Sequence, residues 1–373
     1  MSHAQGPLSE DGLVQLLTPA GERVAHERFD AYAADLDDAA LRAVYRDMVL
    51  ARRFDREATA LQRTGELGLF APAEGQEGAQ IGSAHALGPH DHVFPSYREH
   101  GVGMMRGVDP VDLLRLFRGV DHGGWDPRPA DGPDAAHGQG GFHLYTLVVG
   151  GHVLHSVGYA MGMAWDHRDG ADSTGPGAVL TYFGDGATSQ GDVNEALVFA
   201  AVNAAPVVFF CQNNQWAISV PTTRQAVVPI ADRAPGFGIP SVRVDGNDPL
   251  ACYAVTRWAL ERAHAGAGPT FVEALTYRMG AHTTSDDPSR YADPATEQRW
   301  RERDPIDRLR AYLGLDDATL AAVDADAEAL AVRLRDGVRA LRGPDFSTVF
   351  DHVYATEHAQ VTAGRAAALG GTR

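Results

Sequence analysis

Apolar residues recur at helical spacing between positions 36 and 62, with Leu41, Val44, Tyr45, Met48 and Val49 on one face and Gly65 as a stop. This stretch predicts an amphipathic helix that packs on a sheet or on a partner. Gly75-Gln76-Glu77-Gly78 opens a small-residue helix running to Leu87, and residues 92–94 read as a short strand. Helices are expected over 111–118 and 153–165. The most regular pattern then follows: a strand ending at Phe183, a turn, an amphipathic helix, Pro206, and an apolar strand over 207–212. Further strands over 241–244 and 270–276 enclose a helix over 249–264. Strands that alternate with helices pair in parallel through right-handed crossovers. The pattern therefore predicts an α/β fold with a mostly parallel sheet flanked by helices.

The ends of the chain read differently. Residues 1–35 are polar, rich in Ala, Asp and Glu and without a period, and are expected to form an extended or partly disordered arm. After Pro288 come charged helices punctuated by Pro305 and Gly343-Pro344, a helical extension suited to supporting a loop and an oligomer interface. Three segments result: an arm over 1–35, an α/β domain over 36–300 and a helical extension over 301–373. Residues 120–141 are dense in Gly, Pro, His and Asp, too irregular for an element interior and long for a connection. A lid or binding loop and a disordered insertion both fit that composition.

Composition narrows the function. The chain has 373 residues, 44% hydrophobic and 22% charged, the balance of a soluble globular protein with a sizeable core. Its 32 basic against 49 acidic side chains give a formal charge of −17, which disfavours nucleic acid and anionic membrane surfaces as partners. Every basic residue among the 32 is arginine. The absence of lysine excludes a Schiff-base lysine, a Walker-type phosphate lysine and a lipoyl attachment site in this chain. Only Cys211 and Cys252 occur, on a strand and a helix, so a disulfide framework or thiolate metal site is not expected and a reducing cytoplasm fits. No signal-like start and no membrane-length apolar run is present, which makes a cytoplasmic location the expectation.

Candidate chemistry sits in the regular strand–helix–strand unit. Its two strands run parallel, so Asp185, in Gly184-Asp185-Gly186, and Asn214, in Asn213-Asn214, both emerge at the carboxyl edge of the sheet. A carboxylate and an amide oxygen with no histidine or thiol between them suit Mg²⁺, which completes its shell with phosphate and water. An aspartate between glycines is also a common turn and helix cap.

Four motifs in order carry a resemblance: Tyr97-Arg98-Glu99-His100-Gly101, Gly184-Asp185-Gly186 through Asn213-Asn214, Gln215-Trp216-Ala217-Ile218-Ser219, and Ala281-His282-Thr283-Thr284-Ser285-Asp286-Asp287. Over about residues 36–310 the chain resembles the alpha subunit of the decarboxylating, thiamin diphosphate-dependent component of 2-oxo acid dehydrogenase complexes. The resemblance implies that the 36–300 segment is a thiamin diphosphate-binding domain. It implies Mg²⁺ held by Asp185, Asn214 and the backbone carbonyl of Trp216. Cofactor contacts are implied from Tyr97, Arg98, Gly184, Gly186 and Ala187. Val149 would stand near the aminopyrimidine, and Arg278 on the loop that orders around the cofactor. Gln212 stands where some relatives place a phosphate-binding arginine. His282, by phosphate contact or in acyl transfer, and His143 are the implied catalytic histidines, with pKa values near neutrality suited to moving protons. Thr283 stands where some relatives are regulated by phosphorylation, and no such regulation is predicted.

The resemblance also implies what lies outside the chain. The glutamate that activates the cofactor ring belongs to a beta subunit in two-chain relatives, so an α₂β₂ heterotetramer is expected, passing the acyl group to a lipoyl acyltransferase. Leu69 and Phe70 correspond to a substrate-pocket wall, and residues 75–84 look closer to relatives acting on branched-chain 2-oxo acids such as 3-methyl-2-oxobutanoate; pyruvate is the alternative. A nicotinamide-dependent dehydrogenase would need a Gly-x-Gly-x-x-Gly turn, and the spacing at Gly184 is wrong for it. A non-catalytic regulatory subunit would keep the fold without the pair Asp185 and Asn214.

Overall fold

The computed structural model describes residues 6, 8–120, 140–170, 177–343, 345–351 and 353–370. Nearly all of the loop expected over 120–141 lies outside the described residues. The strands are β1 (His92–Phe94), β2 (Val179–Gly184), β3 (Val207–Asn213), β4 (Trp216–Ala217), β5 (Val220–Pro221), β6 (Ser241–Asp245) and β7 (Thr270–Leu275). Five of them form one sheet in the order β1-β2-β3-β7-β6, every pair parallel, while β4 and β5 make a small antiparallel ribbon. Residues 179–183 and all of β3 are buried, the near-continuous apolar run expected of parallel strands covered on both faces.

The helices are α1 (Asp38–Arg63), α2 (Glu77–His85), α3 (His100–Met105), α4 (Arg115–Arg118), α5 (Gly151–Arg168), α6 (Gly191–Val202), α7 (Pro249–His264), α8 (Pro294–Arg301), α9 (Pro305–Leu313), α10 (Asp317–Ala340) and α11 (Ala359–Gly370). The Asp37 carboxylate caps α1 by accepting the Ala40 amide, and the helix buries Leu41, Val44, Tyr45 and Met48 as its spacing predicts. The helix expected over 111–118 is instead a 3₁₀ turn followed by the single turn of α4.

Two segments differ from expectation. From residue 8 onward the N-terminal arm is built into the body: Leu16 and Leu17 are fully buried and Val14 forms a parallel bridge with Val244 of β6. Asp248 fixes it, accepting the Leu16 and Leu17 amides at 2.6 Å each while capping α7 through the Leu250 and Ala251 amides. An arm held by pairing to a distant strand carries no periodic signature of its own. The C-terminal helices also divide. Leu309, Val323, Leu334 and Val338 join the core around α1, whereas residues 345–370 bury no helical side chain and fold back on themselves. No helix among the described residues is long and apolar enough to cross a membrane.

Candidate active site

β1, β2, β3 and β7 end at one edge, where open parallel sheets bind ligands. Gly184 pairs with Gln212, so Asp185 and Asn213 leave adjacent strands side by side. Asp185 begins a 3₁₀ turn leading into α6 and is 1% exposed. Its Oδ2 accepts from the Thr222 hydroxyl at 2.7 Å and the Gln225 amide at 2.8 Å, and burial raises its pKa. Among the described residues no cation lies within ion-pairing reach of it. A buried carboxylate without a counter-charge is costly. Asn214 is likewise buried; its Oδ1 accepts the Trp216 amide at 3.2 Å, and its Nδ2 donates to Gln76 Oε1 at 3.1 Å. Gln215 takes a left-handed φ of 72°, which swings Trp216 and the β4–β5 ribbon back over the edge. A Cβ on Gly186 would sit 2.8 Å from the Ala217 Cβ, so glycine is what lets this ribbon close on the turn.

These groups line a cavity of about 240 Å³. Gly184 comes to it from the end of β2, Asp185, Gly186 and Ala187 from the 3₁₀ turn that follows, and Gln212 from β3. Asn214 and Trp216 follow from the adjoining turn and ribbon. Tyr97 and Arg98 reach it from the turn after β1, Val149 from the entry to α5, and His282 from the loop after β7. Three buried polar atoms on lining residues have no hydrogen-bond partner: Gln76 Nε2, Gln212 Oε1 and His152 Nδ1. Orphaned polar atoms gathered at one cavity fit a polar ligand, and an oxygen-rich set around Asp185 fits a hard cation.

His282 is held by two arginines. Arg98 Nη2 lies 3.2 Å from His282 Nδ1 and 3.0 Å from its carbonyl oxygen, Arg98 Nη1 donates to the Pro72 carbonyl, and Arg278 Nη1 lies 3.5 Å from the same Nδ1. Arginine only donates, so Nδ1 accepts and the ring proton sits on Nε2. Burial first, then the charges of Arg98 and Arg278, push the imidazole down to about 4. This corrects the near-neutral value expected from sequence. Arg278 also donates to the Ile218 carbonyl and the Tyr291 hydroxyl, each at 2.7 Å, so it supports the loop and the ribbon and is not itself among the cavity-lining residues.

Several expected residues lie elsewhere or in other company. His143 stacks on Phe94 at 3.9 Å between centroids, with its Nε2 3.3 Å from His92 Nδ1, and is not among the cavity-lining residues. Burial pushes it too down to about 4. Phe70 is fully buried, stacked on His100, and its backbone pairs with Thr284, so it anchors the His282 loop rather than lining the cavity; Leu69 is half-exposed outside it. Gln212 donates to Glu99 Oε1 at 2.6 Å. Glu99 is a lining residue that sequence reasoning passed over although it stands inside the Tyr97-Arg98 motif. Its other oxygen accepts from the Ser96 amide and hydroxyl and from the Arg98 amide. Thr222 and Gln225, which hold Asp185, carry no motif and are recognisable only once the ribbon brings them back.

The sequence profile of the dehydrogenase E1 component family matches residues 45–328. A 3-methyl-2-oxobutanoate dehydrogenase subunit alpha of Mycobacterium tuberculosis is 45% identical over 357 residues, 94% of this chain and 90% of that protein. A pyruvate dehydrogenase E1 component subunit alpha of Bacillus subtilis is 38% identical over 302 residues, 80% of this chain and 76% of that protein. With the parallel sheet and its edge cavity, these matches make the chain a member of the dehydrogenase E1 component family, of the 2-oxo acid dehydrogenase alpha-subunit type.

Proposed function

We propose that this chain is the alpha subunit of a thiamin diphosphate- and Mg²⁺-dependent dehydrogenase that decarboxylates branched-chain 2-oxo acids and passes the acyl group to a lipoyl acyltransferase. The observation that carries the reading is the buried Asp185 carboxylate, with no ion-pair partner among the described residues, beside Asn214 at the sheet edge. Asp185, the Asn214 side-chain oxygen and the Trp216 carbonyl would hold the Mg²⁺, which would offset the negative charge of the cofactor's diphosphate. When bound, the cofactor supplies an electron sink for loss of CO₂ from a 2-oxo acid. The neutral His282 presents its Nε2–H to the bound ligand while Arg98 and Arg278 hold the ring.

A beta subunit completes the site in an α₂β₂ assembly. Glu99 is the one glutamate lining the cavity among the described residues, and both its oxygens are already engaged, which leaves ring activation to a partner's carboxylate. The 45% identity to the branched-chain relative, over nearly the whole of both chains, favours 3-methyl-2-oxobutanoate as substrate over pyruvate. Calorimetry on the co-expressed αβ pair tests the cofactor: thiamin diphosphate is expected to bind only with Mg²⁺, and Asp185→Ala to abolish binding. Retained binding in that variant would refute the metal assignment. Steady-state rates with 3-methyl-2-oxobutanoate against pyruvate test the substrate, a higher kcat/KM for pyruvate being the result that overturns it.

A further inference from the structure

His152 stands in the first turn of α5 and is 2% exposed. Its Nε2 lies 2.7 Å from the Tyr182 carbonyl oxygen of β2. A carbonyl only accepts, so the ring proton is on Nε2 and Nδ1 carries a lone pair. Burial pushes the ring down to about 4, which keeps it neutral. Nδ1 is therefore an acceptor, buried and unpartnered, on a side chain that lines the cavity. The positive φ of Gly150, 81°, turns the chain into α5 and sets Val149, Gly150 and His152 together in that lining.

A buried acceptor at a binding cavity calls for a donor on the ligand. Thiamin diphosphate offers one N–H group: its ionised diphosphate only accepts, its thiazolium nitrogen bears no hydrogen, and its pyrimidine carries a primary amine. We propose that His152 is a cofactor-binding residue whose Nδ1 accepts a hydrogen bond from the exocyclic amine of the cofactor's aminopyrimidine. This inference rests on the cofactor reading above. It gives α5 a side-chain role in selecting the amine, separate from the diphosphate grip at Asp185 and Asn214.

Two substitutions and two ligands isolate the bond. His152→Gln keeps an N–H able to reach the Tyr182 carbonyl but removes the acceptor at the Nδ1 position, whereas His152→Asn puts an amide oxygen there. Oxythiamin diphosphate replaces the amine by oxygen. In calorimetric titrations of the co-expressed αβ complex with Mg²⁺, the wild type is expected to prefer thiamin diphosphate over oxythiamin diphosphate. His152→Gln should bind thiamin diphosphate about tenfold more weakly, with affinity for the oxygen analogue unchanged. His152→Asn should retain the preference. A His152→Gln variant that keeps the wild-type preference, or that loses affinity for both ligands equally, overturns the proposal. A wild-type complex that binds no thiamin diphosphate overturns the cofactor reading and this one together, a result distinct from either.

Discussion

His282 shows how single residues here are defined by what surrounds them. Its Nδ1 faces two guanidinium groups, so above pH 5 the side chain is a neutral donor through Nε2. The folded pKa lies below the ordinary histidine value, so the unfolded chain binds the extra proton first. The stability this ring contributes is full above about pH 6.5 and is lost as the pH falls towards about 4. Histidine NMR of the ligand-free αβ complex should show the His282 ring unresponsive between pH 6 and 8. In Arg98→Gln its titration should move upward, because one repelling charge is gone; a His282 midpoint near 6.5 in the wild type would contradict the assignment. Asp185 and Asn214 were legible in sequence because a strand–helix–strand unit of ordinary length brings them together. The pairing of Glu99 with Gln212 was not, since the two lie 113 positions apart and nothing local to Glu99 marks its partner.

At the scale of elements, Asp248 joins the N-terminal arm to α7. One carboxylate accepts the amides that start α7 and the amides of Leu16 and Leu17, so helix capping and arm docking depend on the same group. Asp248→Ala is expected to cost about 2–4 kcal/mol, more than an exposed cap, because buried amides lose their acceptor. Urea unfolding measures the cost, and limited proteolysis should cut near Leu16 in the variant but not in the wild type. A loss below about 1 kcal/mol would mean the arm docks through apolar burial alone. The sheet and its long helices were readable because β3 is apolar throughout and α1 has a clean helical period. The arm was not, because its order comes from Val244 and Asp248, far away in sequence. Short elements such as α3 and α4 leave too few residues for a period to register.

At the scale of the whole molecule, buried and bare apolar surface are unevenly distributed. The core around α1 takes in α9 and α10, yet Phe346, Val349, Val353 and Tyr354 in the C-terminal segment are each at least half exposed. Val202 of α6 is 80% exposed and Trp165 of α5 is 53% exposed. Apolar side chains scattered singly need no account, but a terminal segment that carries four of them and packs on itself gains nothing from staying in water. Such a segment is expected to contribute little to the stability of the isolated chain and much to association with the proposed beta subunit. Deleting residues 345–373 should therefore leave the melting temperature of the isolated chain within about 2 °C of the full-length value. Co-expressed with the beta subunit, the truncated chain should elute from size exclusion mainly as free alpha chain where the full chain elutes as the larger complex. A truncated chain that melts far lower would place the segment in the alpha fold itself. One that assembles normally would assign the contact to the exposed faces of α5 and α6, where Trp165→Ala and Val202→Asp are the substitutions expected to break it.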